Sequence, residues 1–204
     1  MIDFDAKAKD WDTNPLRIER ARAVAGAIKT AIALAPHMTA LEYGCGTGLL
    51  SFALQPDLAH ITLADSSTGM LAVLKEKIAA SGVQNMTPIQ LDLVTDPLPQ
   101  AKYNLIYTLM VLHHVLDTDK LLRDFYRLMN TPGYLCIADL EKEDGSFHGL
   151  DFPGHKGFDR KELSEKAEQA GFQAVRFTTA FRMFKEMDGQ RREFPLFLML
   201  AEKH

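Results

Sequence analysis

"LEYGCGTGLL", residues 41–50, decides the fold. An apolar run ending at Tyr43 gives way to Gly44, Gly46 and Gly48, which alternate with Cys45 and Thr47 before a second apolar run begins. Glycine at every other position trades side-chain packing for backbone freedom, which a chain uses where it turns sharply or comes close to something. Placed between a strand and a helix, such a turn points helix-start N–H groups at an electron-rich ligand. Taken alone the pattern also fits a plain tight turn, so its meaning rests on what surrounds it.

Outward from the turn, strands and helices alternate. Residues 39–44 read as a buried strand and 47–55 as a helix; 60–65 ("HITLAD") is a second strand and 66–82 a second helix closing at Gly82. Residues 86–92 form a third strand, with Pro88 placing it at a sheet edge. Residues 103–109 are a fourth strand. The stretch 117–130 is a helix with Leu121, Leu122, Phe125, Leu128 and Met129 as its apolar stripe, and 133–140 is a fifth strand. A helix over 159–172 has Asp159 as N-cap, Glu162 three positions on and Gly171 at its end. Two last strands, 173–181 and 194–202, flank a turn around "MDGQRR". Ahead of all this, Asn14 caps a helix with Pro15 in its first position; Val24, Ile28, Ile32 and Ala35 share one face, and Pro36 marks the stop.

This order predicts an α/β fold: a doubly wound, seven-stranded, mostly parallel sheet with helices on both faces, its last two strands antiparallel because only a turn joins them. Ligands of such sheets bind beyond the carboxyl ends of the strands, where strand order reverses. One domain is expected over 1–204, with a lid and helix at 1–38, a ligand-binding core at 39–140 and an acceptor-side loop, helix and strand pair at 141–204.

Acidic residues strengthen the glycine signal. Asp65 ends the second strand, where a carboxylate can accept both hydroxyls of a ribose. Asp92 ends the third, suiting an amino group on a ligand that extends across the sheet edge. Each acid by itself is as readily a helix cap or turn residue. Three such features at successive strand ends leave that reading little room.

With "LEYGCGTG", "ITLADSSTGML", "PIQLDL", "YNLIYTLMVLHHV" and "PGYLCIADL" in place, the chain resembles a class I S-adenosylmethionine-dependent methyltransferase of the small bacterial kind, over about residues 40–140. The resemblance implies a Rossmann-like fold whose final strand lies between the fifth and sixth. It also implies S-adenosylmethionine as cofactor, with S-adenosylhomocysteine as product. On the matching positions, Glu42 and the backbone from Gly44 through Cys45 and Gly46 to Gly48 would hold the methionine moiety. Asp65 and the adjoining Ser66 would take the ribose, Met70 would pack on adenine, and Asp92 with the Leu93 N–H would meet the adenine edge. Thr108 and its neighbours would face the methionine amino group. Where relatives carry a proline in "SPEML", this chain has "STGML", which touches only local loop shape.

The rival for such a fold, a nicotinamide-dependent oxidoreductase, needs GxGxxG, whereas the glycines here give GxGxG, and no Tyr-x-x-x-Lys pair follows. A non-catalytic sensor of the same cofactor is the other alternative, which the cofactor motifs do not separate from an enzyme.

Because the cofactor brings an activated methyl group, alignment does much of the work and a general base is optional. The candidate bases are His113 and His114 in "VLHHVLD", beyond the fourth strand, and His155. His148 and His155 lie in "DGSFHGLDFPGHKGFD", an acceptor-binding lid, and Trp11, the only Trp, folds over the site or docks the terminus. The four histidines lack a metal-ligand spacing, so no metal is expected. Asp139 and the acids from Glu141 to Asp144 read as a solvated turn, or as an acidic mouth for a cationic acceptor.

Bulk properties bound the rest. The 204 residues are 47% hydrophobic and 25% charged, with net charge −4 and a pI of about 6.0, so nothing calls for nucleic acid or an anionic membrane. "GQRREF" (189–194) is the most basic stretch and reads as a solvated turn. Two cysteines make no disulfide framework, the start has no apolar signal core, and "FPLFLMLA" is too short to span a bilayer. A cytoplasmic protein with a small-molecule acceptor is the expectation.

Overall fold

The computed structural model describes residues 3–149, 151–187 and 189–204. Seven strands form one sheet: β1 (Thr39–Tyr43), β2 (His60–Asp65), β3 (Met86–Gln90), β4 (Tyr103–Leu109), β5 (Met129–Leu140), β6 (Gln173–Met187) and β7 (Gln190–Lys203), in the order β3-β2-β1-β4-β5-β7-β6. β1 to β5 pair in parallel, whereas β7 runs antiparallel to both β5 and β6. The final strand therefore lies inside the sheet, and β3, with its Pro88, is an edge strand as expected. Strand order reverses between β1 and β4, where Glu42 has Leu63 on one side and Tyr107 on the other. The crevice opens at the ends of those two strands.

Period-two alternation puts Leu41 and Tyr43 of β1 on one face and Ala40 on the other. The first face is covered by α5 (Thr118–Leu128) and α6 (Arg160–Gln169), whose Leu121, Leu122, Phe125 and Leu163 are fully buried. Each such side chain contributes roughly 1.5–3 kcal/mol. The other is covered by α2 (Pro15–Ala31), α3 (Leu49–Leu54) and α4 (Thr68–Ser81) through Val24, Ile28, Leu50, Leu54, Leu71 and Leu74. A short α1 (Phe4–Lys7) precedes them. Asn14, Ser67 and Asp159 cap their helices through backbone N–H groups of Leu16, Met70, and Lys161 with Glu162.

Three boundaries differ from the sequence reading. α2 ends at Ala31: Ile32 is already extended, though its buried side chain still closes the apolar face, and Ala35 lies past the helix. Pro36 restricts only the residue before it, so it stops nothing four residues upstream. Met129 is buried as the first residue of β5 rather than the last of the helix. The β6–β7 hairpin is longer than its apolar core, and "GQRREF" is mostly strand from Gln190 on. Charged residues break the apolar alternation there, but they pair across the ladder, as Arg182 does with Glu193. Among the described residues no helix is long and apolar enough to cross a membrane.

Candidate functional site

The three glycines of the loop have two different reasons to be glycine. A β-carbon on Gly44 (φ 70°) would lie 2.3 Å from Val111 Cγ2, and one on Gly48 (φ 79°) 2.7 Å from Leu74 Cδ1. Both are demanded by packing. Gly46 (φ 53°) has no such neighbour; the nearest atoms are Trp11 Nε1 at 3.7 Å and Met70 Sδ at 4.0 Å. Its bare backbone faces a cavity of about 520 Å³, well within the roughly 300–1,000 Å³ of small-molecule sites.

Glu42, Gly44, Cys45, Gly46, Asp65, Ser66, Met70 and Asp92 all line this cavity. Asp65 shapes the loop, accepting from Gly46 N at 2.7 Å and Ser67 N at 2.8 Å, while burial raises its pKa. Glu42 is buried, bonded by Ser51, and pushed up to about 8, burial being the main cause. Asp92 accepts from Val94 N at 2.9 Å. Cys45 is buried with its thiol pKa raised, the opposite of an activated nucleophile.

Three of the expected cofactor residues do not line the cavity. Gly48 sits behind the loop against Leu74. The Leu93 N–H donates to the Tyr43 hydroxyl at 3.2 Å and is not free for a ligand. Thr108 is buried within β4, and Leu109 and Met110, one step further along, reach the cavity instead.

On the far side of the crevice the histidines gather. Asp139, read from sequence as part of a solvated acidic turn, is 0% exposed and accepts from His113, itself 1% exposed, at 2.6 Å from Nδ1 to Oδ1. The same carboxylate accepts from His113 N at 3.2 Å and Leu140 N at 2.7 Å. Holding Nδ1 as the donor leaves the His113 Nε2 lone pair facing His148 Nε2 at 3.0 Å. His114 stacks beside them, ring centroid 4.1 Å from that of His113, and one ring nitrogen from each of the three lies within 4.8 Å of the others. Burial is the leading cause that lowers His114 and His148 to about 4, so both are neutral at pH 7. His155 is elsewhere: its Nε2 meets the Val115 and Leu116 carbonyls at 3.0 and 3.3 Å, in a separate groove beside Lys142 and Glu162. The backbone explains this, since His155 N donates to His113 O at 2.8 Å and turns the side chain outward from the cavity.

The acidic mouth does not exist either. Glu141 is bound by Arg160, Glu143 accepts from Gly145 N and Phe147 N, and Asp144 pairs with Arg192. These contacts fold the segment that brings Phe147 and His148 over the crevice.

The amino-terminal segment straps the other rim. Asp12 bonds Thr47 and Lys77, each at 2.5 Å, and Asp5 accepts from Gly69 N at 2.8 Å. Trp11 and Phe4 thus line the cavity, with Phe4 edge-on to His114. Sequence reasoning missed the cations of this wall: Lys7, Arg17, Arg20 and Lys185. Arg17 lies 3.8 Å over the Trp11 ring. Arg20 is lowered to about 10 by burial and by Arg17, and remains charged at neutral pH. Asp139 had a legible signal, since it nears the end of a strand as Asp65 and Asp92 do; the cations, on a helix and a distant hairpin, had none.

Fold and cleft together define a Rossmann-like class of nucleoside-binding enzymes. The methyltransferase domain family model matches residues 16–176, and the chain belongs to that family, the class I S-adenosylmethionine-dependent methyltransferases. It is 29% identical over 158 residues to the ubiquinone biosynthesis O-methyltransferase of Marinobacter nauticus, covering 71% of this chain and 63% of that protein. It is 31% identical over 111 residues to the ubiquinone/menaquinone biosynthesis C-methyltransferase UbiE of Vibrio campbellii, covering 52% and 43%. The chain thus spans less than two thirds of the length of these curated relatives. In fold it is similar to the phosphoethanolamine N-methyltransferase 2 of Haemonchus contortus, solved with S-adenosyl-L-methionine: TM-score 0.74, 14% identity, 100% of this chain and 60% of that one.

Proposed function

We propose that this chain, as a single domain over its 204 residues, methylates a small molecule with S-adenosylmethionine as donor. The observation that carries the reading is the open Gly46 face between carboxylates on one side and the buried Asp139–His113 pair on the other. The residues fit the cofactor: Asp65 and Ser66 suit the ribose, Met70 and Asp92 the adenine, Glu42 the cationic methionine end, and Arg17 its carboxylate. When bound, the cofactor supplies a methyl group on a sulfonium sulfur, which retains the electron pair of the broken bond.

The chain's own part is placement and proton handling. Asp139 fixes the His113 tautomer, so Nε2 can accept a proton from an acceptor hydroxyl, thiol or amine as that atom bonds to the methyl carbon. Neutral His148 donates its Nε2–H to that nitrogen's lone pair at 3.0 Å until an acceptor takes its place. Its neighbours Lys185 and Lys7 lower its basicity further, and positive charges beside the cluster disfavour a metal ion there. Trp11, Phe4 and the Phe147–His148 segment exclude water. The built base supports an enzyme rather than a sensor.

The test is calorimetric titration with S-adenosylmethionine, S-adenosylhomocysteine and NAD on wild type and Asp65→Ala, followed by an acceptor screen. Binding of the two adenosyl ligands alone, weakened in the variant, supports the reading; binding of NAD alone refutes it.

A further inference from the structure

Charge is segregated within the cavity. Its acidic side chains, Asp65 and Asp92 with the raised Glu42, stand at the glycine-loop side. Its cations come from the amino-terminal segment, α2 and β6, and among the described residues none of the four is ion-paired. Arg17 has an assigned role above, at the cofactor's carboxylate, and Lys7 is exposed at the rim. Arg20 and Lys185 have no such role.

Arg20 is the clearer anomaly. Its Nε is buried without a partner, and its Nη1 reaches only Met183 Sδ at 3.4 Å, a weak acceptor. A guanidinium nitrogen withdrawn from water with no hydrogen-bond or ion-pair partner is costly unless a ligand completes it. Asp139 lies near enough to be felt, but its oxygens are occupied by His113 and Leu140. Lys185 lies two residues beyond Met183 on the same face of β6, held over the Phe147 ring at 3.7 Å. Its Nζ donates to Phe147 O at 2.5 Å, which leaves other donors free. Two cations thus converge where Phe147 and His148 close the acceptor side.

We propose that the methyl acceptor is an acid, whose carboxylate or phosphate group docks between Arg20 and Lys185 and so presents its nucleophilic atom to His113. The inference rests on the methyltransferase reading and adds to it the class of substrate. It also runs against the cationic acceptor that an acidic mouth would have favoured, the alternative to a solvated turn in the sequence reading, because a protonated amine would enter a wall of like charge. Carboxylate and phosphate share this chemistry and differ in charge and fork geometry.

The experiment loads the purified protein with S-adenosylhomocysteine and titrates it with benzoate, phenyl phosphate, benzamide and benzylamine, read by ligand-observed NMR and calorimetry. Benzoate or phenyl phosphate is expected to bind about tenfold or more tightly than benzamide, with benzylamine weakest. The stronger of the two acids identifies the group. Arg20→Met and, should that variant fold poorly, Lys185→Met remove the preference by about tenfold while S-adenosylhomocysteine still binds. Charge-blind binding, preference for benzylamine, or an anion preference untouched by both variants overturns the inference. Failure of S-adenosylhomocysteine to bind at all strikes instead at the methyltransferase reading, and the same titration on unloaded protein still reports on the cation pair.

Discussion

Substituting alanine at Gly44 and at Gly46 separates what the fold needs from what a ligand needs. Both residues have positive φ, so an alanine at either costs roughly 1–2 kcal/mol in backbone strain. At Gly46 nothing further is added, because the new methyl has no neighbour closer than 3.7 Å. At Gly44 the methyl would meet Val111 Cγ2 at 2.3 Å and Cγ1 at 2.8 Å, which adds roughly 1–3 kcal/mol of overpacking. For a chain of this size each kcal/mol moves Tm by roughly 2–4 °C. Gly44→Ala is therefore expected to melt clearly below Gly46→Ala, and Gly44→Ala with Val111→Ala to be no less stable than Gly44→Ala alone. Ligand response runs the other way. S-adenosylhomocysteine at a hundredfold its Kd stabilises wild type by about 2.7 kcal/mol. Gly46→Ala loses most of that gain, since its methyl fills the space between loop and ligand. Thermal and urea melts with and without the ligand measure all four quantities. A Gly46→Ala protein that keeps the full ligand shift, or a Gly44→Ala protein as stable as Gly46→Ala, refutes the division.

Glu42 predicts a pH dependence. Its folded pKa of about 8 lies above the 4.5 of an unperturbed glutamate, so the native state binds the extra proton between those values. Stability of the unliganded protein is then fullest below pH 4.5 for this group and falls, by an order of a few kcal/mol, as pH rises through about 8. Urea melts across pH 5 to 9 should show Glu42→Gln with a flatter profile than wild type; parallel profiles would refute the assignment. Asp139→Asn leaves S-adenosylhomocysteine affinity within about threefold but slows methyl transfer by about a hundredfold or more, because His113 loses its fixed tautomer; equal loss of both would make Asp139 merely structural. Asp12→Ala unties the strap from Thr47 and Lys77, and hydrogen exchange at residues 4–13 should quicken with little change in Tm. Unchanged exchange there would mean other contacts hold the segment.

The alternation of strands and helices, the edge position of β3 and the glycine loop all follow from local pattern: glycine spacing, period-two burial, caps at Asn14 and Asp159. Such features depend on neighbours in sequence, which is why they can be read there. Asp65 and Asp92 are legible for the same reason, each following its own strand. Tertiary structure alone decided which glycine is left open to the cavity, because Val111 and Leu74 come from other elements. It alone drew Asp139 out of an apparent acid cluster and onto His113, separated His155 from His148, and gathered Arg20 and Lys185 from opposite ends of the chain to one wall. Charges placed by long-range packing leave no periodic trace, so the chemistry of the acceptor side exists only once the chain has folded.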